Sequence, residues 1–255
     1  MILPMKTYTT SQVAGILGIH PNTVRLYEAW RLIPQAERKA NGYRVFTDFH
    51  LAQLRLVRVA FRTEVLQNGL RRKIVEAVKA SARGDFDRAL ALTEEYHSRA
   101  GEEIRRAEEA VRVARRIHAG VGEQADISLT RREICAQLGL TPEALRNWER
   151  NGLLRPGRLQ HGLRVYDSAD LDRLMMIRAL RCAGYSLEAI LRMLTALARD
   201  PGADMAQALN TPGEGAEIIS VCDRLITSLR DAQQHAALMT VMLTGMRAAF
   251  PNPPL

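Results

Sequence analysis

Cysteine is scarce and scattered. Cys135, Cys182 and Cys222 lie far apart, and none forms a Cys-x-x-Cys pair or joins a histidine cluster. That spacing speaks against a disulfide framework and against a zinc site. Long apolar runs are missing too. The longest, Ala236 to Met246, is interrupted by Thr240, Thr244 and Gly245 and falls short of the roughly 18 residues a bilayer span needs. The opening Met1-Ile2-Leu3-Pro4-Met5-Lys6-Thr7 is too short and broken for a signal peptide. No Ser/His/Asp set, paired carboxylates or phosphate-cradling glycine loop emerges. Neither an enzyme, a cofactor nor a metal site is expected, and the expected location is cytoplasmic, away from membranes.

What is present is a repeat. Tyr8 to Glu28 and Leu129 to Glu149 carry the same block about 121 positions apart. Leu17-Gly18 matches Leu138-Gly139, Pro21 matches Pro142, Arg25 matches Arg146, and Glu28 matches Glu149. One residue is then lost, after which Gly42-Tyr43-Arg44-Val45-Phe46 matches Gly162-Leu163-Arg164-Val165-Tyr166. The period is too long for a solenoid unit and indicates a duplicated domain. Charge follows the repeat. The chain is +8 overall, yet residues 1–74 hold 12 Lys/Arg against 4 Asp/Glu and residues 128–199 hold 12 against 7. Residues 75–127 (9 against 11) and 200–255 (3 against 6) are slightly acidic. Two basic domains separated by acidic segments are the footprint of a nucleic-acid reader.

Each copy reads as a helix–turn–helix. A short apolar helix, with Ser11 as N-cap in the first copy and a Thr130/Glu133 capping box in the second, ends at Leu-Gly. The next helix starts on Pro21 or Pro142, where a missing N–H costs nothing. His20 and Thr141 precede those prolines as caps. Short β-compatible runs over 34–46 and 155–166 predict a wing. Asp48 and Ser168 are the expected caps of a further helix, whose apolar stripe is Leu51, Leu54, Val57 and Phe61, or Leu171, Leu174, Ile177 and Leu180.

Two long helices are predicted, over 85–120 and 214–248. The first carries Leu90, Thr93, His97, Ala100, Ile104, Ala107, Val111 and Ala114 at alternating three- and four-residue steps, with Glu102 and Glu103 off the stripe. The second carries Ile218, Cys222, Leu225, Leu229, Ala232, Ala236, Met239, Leu243 and Met246. Such spacing is a coiled-coil signature. His97 and His118 read as seam or surface residues rather than ligands. The linkers 120–128 and 200–213 are short, and Met205 and Leu209 in the latter could line an apolar pocket or simply pack.

The ordered set Val24-Arg25-Leu26-Tyr27-Glu28, Leu32-Ile33-Pro34 and Gly42-Tyr43-Arg44-Val45-Phe46 resembles the MerR family of bacterial transcription regulators. So does Leu145-Arg146-Asn147-Trp148-Glu149, with Gly152-Leu153-Leu154, Gly162 to Tyr166 and Gly184-Tyr185-Ser186-Leu187-Glu188-Ala189-Ile190. The resemblance implies a mainly all-α fold: two winged helix–turn–helix domains, at 5–82 and 128–199, each with a small β wing and each followed by a long helix. The long helices pair as an antiparallel coiled coil. The first copy departs after Arg62, where Glu64 to Gly69 replaces the family's Gly-aromatic-Ser-Leu turn.

The resemblance also implies double-stranded DNA as the partner, at a promoter or operator with RNA polymerase nearby, and a bacterial, nucleoid-associated setting. Arg25 and Arg146 correspond to the family's DNA-engaging helix arginine, and Tyr27 and Trp148 to its backbone-contacting aromatic. Asn22 and Thr23 sit where base edges are in reach; their counterparts Glu143 and Ala144 differ, and Asn suits adenine whereas Glu accepts from cytosine or repels phosphate. Asn147 joins this helix face. Tyr43, Arg44 and Arg164 are wing residues expected to grip phosphate, with Arg38, Lys39, Arg158 and His161 as looser candidates. Ser11, Arg131 and Arg132, at the start of the first helix of each copy, complete the expected DNA-facing set.

One chain is therefore expected to act as its own pseudo-dimer reading two unlike half-sites. A homodimer with four DNA-binding domains is the alternative. An excisionase-like architectural protein and a regulator with a small-molecule site between the long helices stand as rival functions.

Overall fold

A computed structural model describes residues 6–62, 69–120, 127–158, 164–211, 224–251 and 253. The first module runs β1 (Thr7–Tyr8), α1 (Thr10–Leu17), α2 (Pro21–Ala29), β2 (Glu37–Arg38), β3 (Arg44–Thr47), α3 (Asp48–Ala60) and α4 (Leu70–Ala82), and the long α5 (Phe86–Ala119) follows. The second module repeats it with β4 (Leu129–Thr130), α6 (Arg131–Leu138), α7 (Pro142–Arg150), β5 (Gly157–Arg158), β6 (Arg164–Tyr166), α8 (Ser168–Cys182) and α9 (Leu187–Arg199). Then come α10 (Met205–Asn210) and α11 (Leu225–Ala249). The fold is mainly helical, as expected. No described helix is long and apolar enough to cross a membrane.

The helix boundaries have local causes. In α1 the cap is Thr9 rather than Ser11: Thr9 and Gln12 form the capping box, and Ser11 lies exposed inside the first turn. Thr130 and Glu133 form the same box on α6. Gly18 and Gly139 adopt left-handed φ of 62° and 60°, which a side chain would strain, and this turns the chain into α2 or α7. Pro21 and Pro142 occupy the first helical position, capped by His20 (Asn22 N–H to Nδ1, 3.1 Å) and Thr141 (Ala144 N–H to Oγ1, 3.1 Å). The α3 and α8 caps also lie one residue earlier than expected, at Thr47 and Asp167. Asp48 instead accepts a hydrogen bond from the Tyr8 hydroxyl at 2.7 Å.

The wings hold a strand the sequence does not announce. Each sheet has three strands, ordered β1-β3-β2 and β4-β6-β5, all antiparallel. β1 and β4 are two residues each, too short for any periodic signal.

The chain divides into two compact units. Unit 1 comprises Met1–Gly101 with Leu229–Leu255, and unit 2 comprises Glu102–Ser228. In unit 1, Val13, Val24, Ile33, Phe46, Phe49, Leu54 and Leu70 are sealed from solvent. Phe49 packs edge-on to Phe86 and tilted against Phe250, with ring centroids 6.2 and 5.3 Å apart. Within this unit the start of α5 and the end of α11 run antiparallel. Gln233 Nε2 donates to the His97 carbonyl (3.2 Å), and Arg247 pairs with Asp87 (2.7 Å).

Unit 2 buries Ile134, Leu145, Leu154, Tyr166, Tyr185 and Ile190. Met205 and Leu209 belong to this core too, on a short helix capped by Asp204 and tied by Arg115 at 2.8 Å. His118 reaches the Pro201 carbonyl at 3.0 Å.

Along the long helices Ala100, Ile104, Ala107, Val111 and Ala114 are buried, as are Leu225, Leu229, Ala232, Ala236 and Met239. Ile218 and Cys222 lie outside the described residues. The stripe of α5 is broader than the expected one. It takes in Ala89, Leu92 and Tyr96 in place of Leu90 and His97. Glu103, expected off the stripe, is 6% exposed and paired with Arg106 at 2.8 Å.

One internal strut differs between modules. Gln53 is fully buried; its amide donates to the Leu32 and Val78 carbonyls (both 2.9 Å) and accepts from the Ser81 hydroxyl (2.8 Å). At the matching place Arg173 Nε donates to the Leu153 carbonyl at 2.6 Å. Burial holds that guanidinium below its ordinary range. Both struts pin the chain as it leaves the second helix.

Candidate nucleic-acid interface

In each module the exposed side of the second helix begins with a short polar run. Arg25 is exposed and donates to Asn22 Oδ1 at 2.9 Å. Arg146 is exposed and pairs with Glu143 at 3.3 Å, with a longer bond to the Pro142 carbonyl. The same position, three residues before the arginine, thus supplies a neutral partner in one module and a charged one in the other. Thr23 and Ala144 are half-buried.

The aromatics diverge. Tyr27 is half-buried, whereas Trp148 is only 6% exposed. Trp148 is thus a packing residue, and its indole has little surface to offer a phosphate. Asn147 accepts from the Asn151 amide at 3.0 Å.

At the C-terminal end of that helix, Glu28 and Glu149 hold the wing. Both carboxylates are nearly buried, at 8% and 7% side-chain exposure, and a buried carboxylate must be paired. Glu28 takes Arg44 Nε at 2.6 Å and the Ala36 N–H at 3.1 Å. Glu149 takes Arg164 (3.3 Å), Arg131 (3.1 Å) and the Tyr166 hydroxyl (2.5 Å). Burial first, then the bond to Glu149, pushes the Tyr166 hydroxyl up to about 12, so it stays a donor. Arg44, Arg131 and Arg164, expected to contact DNA, are part-exposed and each is paired with one of these carboxylates. The Arg131 Nε is buried without a partner among the described residues. These two carboxylates escaped sequence reasoning as functional residues. The signal was there: a Glu in both copies, each followed 15–16 residues on by a wing arginine.

The wing itself carries a conflict. Arg38 and Arg44 are register partners on β2 and β3, and like charges directly opposite destabilise a pair. Glu28 neutralises Arg44. Arg38 stays exposed and, among the described residues, donates only to the Gly42 carbonyl at 3.3 Å. Arg158 and Arg164 are register partners in the second wing. Lys39 and Arg132 are exposed, and Tyr43, at the tip of the first wing, is 71% exposed. His161 lies outside the described residues.

Helix and wing enclose a cleft in each module. In the first it is lined by Arg25, Arg31, Arg38, Arg44 and Arg83, with Glu28 as the one carboxylate among the described lining residues. In the second it is lined by Arg146, Arg150 and Arg164 with Glu143 and Glu149. The cap that ends the helix also differs. Arg31 N–H bonds to the Glu28 carbonyl and Leu32 N–H to that of Tyr27. Gly152 and Leu153 repeat this on Glu149 and Trp148. The motif requires a left-handed residue, usually glycine. Gly152 meets it at φ 76°, but Arg31 sits there at φ 58°, the one non-glycine with positive φ among the described residues. That costs about 1 kcal/mol.

Two winged helix–turn–helix modules, each with a wing latched to its second helix, define the class. A family model for the MerR HTH family regulatory protein matches residues 8–66 and 129–197. The chain belongs to the MerR family. Among curated proteins it is similar to an uncharacterised HTH-type transcriptional regulator of Synechocystis (44% identical over 69 residues, 27% of this chain and 50% of the relative). It is also similar to the HTH-type transcriptional regulator AdhR of Bacillus subtilis, at 39% over 64 residues (25% of this chain, 46% of the relative). A third relative is an uncharacterised HTH-type transcriptional regulator of Pseudomonas aeruginosa, at 42% over 64 residues (25% and 48%). The chain thus spans about half the length of the curated relatives it matches. No solved structure matches it.

Proposed function

We propose that this chain is a sequence-specific, double-stranded DNA-binding transcriptional regulator, with both winged modules of one polypeptide engaging the two halves of a promoter site. The observation that carries it is the duplicated cationic face: an exposed arginine on each second helix, beside a wing held by a buried glutamate. Such a helix fits the major groove, and the exposed wing cations Arg38 and Lys39 fit the flanking phosphates. Asn22 and Thr23 against Glu143 and Ala144 make the half-sites unlike. Antiparallel packing of α5 on α11 inside unit 1 supports closure within one chain, the arrangement of a pseudo-dimer. Bending of the duplex and proximity to RNA polymerase follow from the family as part of the same reading.

Selection of bound sequences from random duplex, followed by footprinting, tests the reading. The expected result is an asymmetric site with two protected segments, bound by a particle of the 28.5 kDa chain mass in light scattering. A symmetric site bound by a particle of twice that mass would replace the pseudo-dimer with a homodimer. Failure to enrich any duplex would end the DNA-binding reading.

A further inference from the structure

We infer that the arginine cleft of the first module is a phosphate-binding subsite, and that Arg31 is held in a strained backbone conformation to complete it. The inference rests on the DNA-binding reading and adds a residue and a division of labour to it.

Three observations meet at Arg31. Its backbone is left-handed at φ 58°, where its counterpart in the second module is Gly152 at φ 76°. The helix-ending hydrogen bonds are the same pair in both modules, Arg31 to Glu28 and Leu32 to Tyr27 against Gly152 to Glu149 and Leu153 to Trp148. The cap therefore needs only the backbone, and glycine provides it without strain. Finally, the Arg31 side chain is exposed, has no carboxylate partner among the described residues, and lines the cleft with Arg25, Arg38 and Arg44. Strain persists where surroundings or function over-determine it. No described residue calls for this guanidinium, and we take its partner to come from outside.

The chemistry names that partner. Arg44 is already neutralised by Glu28, which leaves Arg25, Arg31, Arg38 and Arg83 as the exposed guanidiniums among the described residues around one concavity. A guanidinium fork matches a phosphate diester bidentately, and the duplex backbone presents such groups in series. Among the described residues, the second module's cleft sets two carboxylates beside its three arginines, which makes it less cationic there. The first module then supplies most of the sequence-independent grip, and the second contributes more to discrimination.

The test uses the full chain and a fluorescein-labelled random-sequence duplex of about 30 base pairs, titrated between about 50 and 200 mM NaCl. Arg31→Gly is expected to flatten the log–log salt slope by about 0.9, the loss of one neutralised phosphate. It is also expected to raise Tm by about 2–4 °C as the strain is relieved. Arg31→Lys keeps the slope within error. An unchanged slope in Arg31→Gly overturns the subsite, and so does a fall in Tm, which would make Arg31 part of the cap. Salt-independent or absent binding by the wild-type chain sinks the DNA-binding reading itself, a result distinct from either.

Discussion

The two modules share a scaffold and differ in how they spend their charge. In the first, Glu28 restrains a single arginine and the rest of the cleft stays cationic. In the second, Glu149 gathers Arg131, Arg164 and Tyr166, and Glu143 draws Arg146. Duplication preserved the latch between helix and wing while the surrounding charges drifted apart. The lesson is that the latch is the structural constant and the unpaired cations are the variable.

Removing the latch carries the largest expected effect. Glu149→Ala strands two part-buried guanidiniums and a phenol, and should cost about 2–3 kcal/mol in urea unfolding, against about 1–2 kcal/mol for Glu28→Ala. Equal losses would show that the extra partners of Glu149 contribute nothing. Next come the helix arginines. Arg25→Ala and Arg146→Ala should each weaken DNA binding by about 1–3 kcal/mol in anisotropy titrations, with Arg25 the more costly because Arg146 is partly neutralised by Glu143. The reverse order would break the contrast between the modules. Gly152→Arg transplants the first module's strained cap into the second and should lower stability by about 1 kcal/mol, seen as a fall in Tm.

The smallest effect is a pH dependence of opposite sign at matching positions, the third residue of α3 and of α8. Burial lowers the His50 pKa below 6.5. The unfolded chain then binds the proton first, so stability present above pH 6.5 declines as pH falls toward the folded value. Burial raises the Asp170 pKa above 3.8. There the folded chain binds the proton first, and stability gains slightly as pH falls through that raised value. Urea midpoints of the wild type and His50→Gln between about pH 7 and 5 should converge at the neutral end. If the histidine variant loses as much on acidification as the wild type, His50 is not the group responsible.

Much of this architecture was legible because the chain states it twice. Pro21 and Pro142, Gly18 and Gly139, and the two wing runs locate the helix–turn–helix without any periodicity argument. Cap positions slipped by one or two residues at Thr9, Thr47 and Asp167, because neighbouring Thr, Ser and Asp side chains compete equally on propensity. β1 and β4 were illegible because two residues define no period. The glutamate latch was hidden for another reason. A carboxylate on a helix reads as a solvated face until its distant arginine is placed beside it. The pairing of Arg131 and the burial of Trp148 were hidden in the same way, since pairing and packing across elements leave no mark on local pattern.

Unit 1 is assembled from Met1–Gly101 and Leu229–Leu255, and this has a consequence for biosynthesis. Phe250, which covers Phe49, emerges from the ribosome more than a hundred residues after Gly101, a wait on the order of ten seconds. Through that interval the nascent first module carries an uncovered aromatic seat, while unit 2 forms from one uninterrupted stretch. Translation speed across residues 102–228, and chaperones that shield the vacant seat, thus become determinants of how much of this protein reaches its finished form.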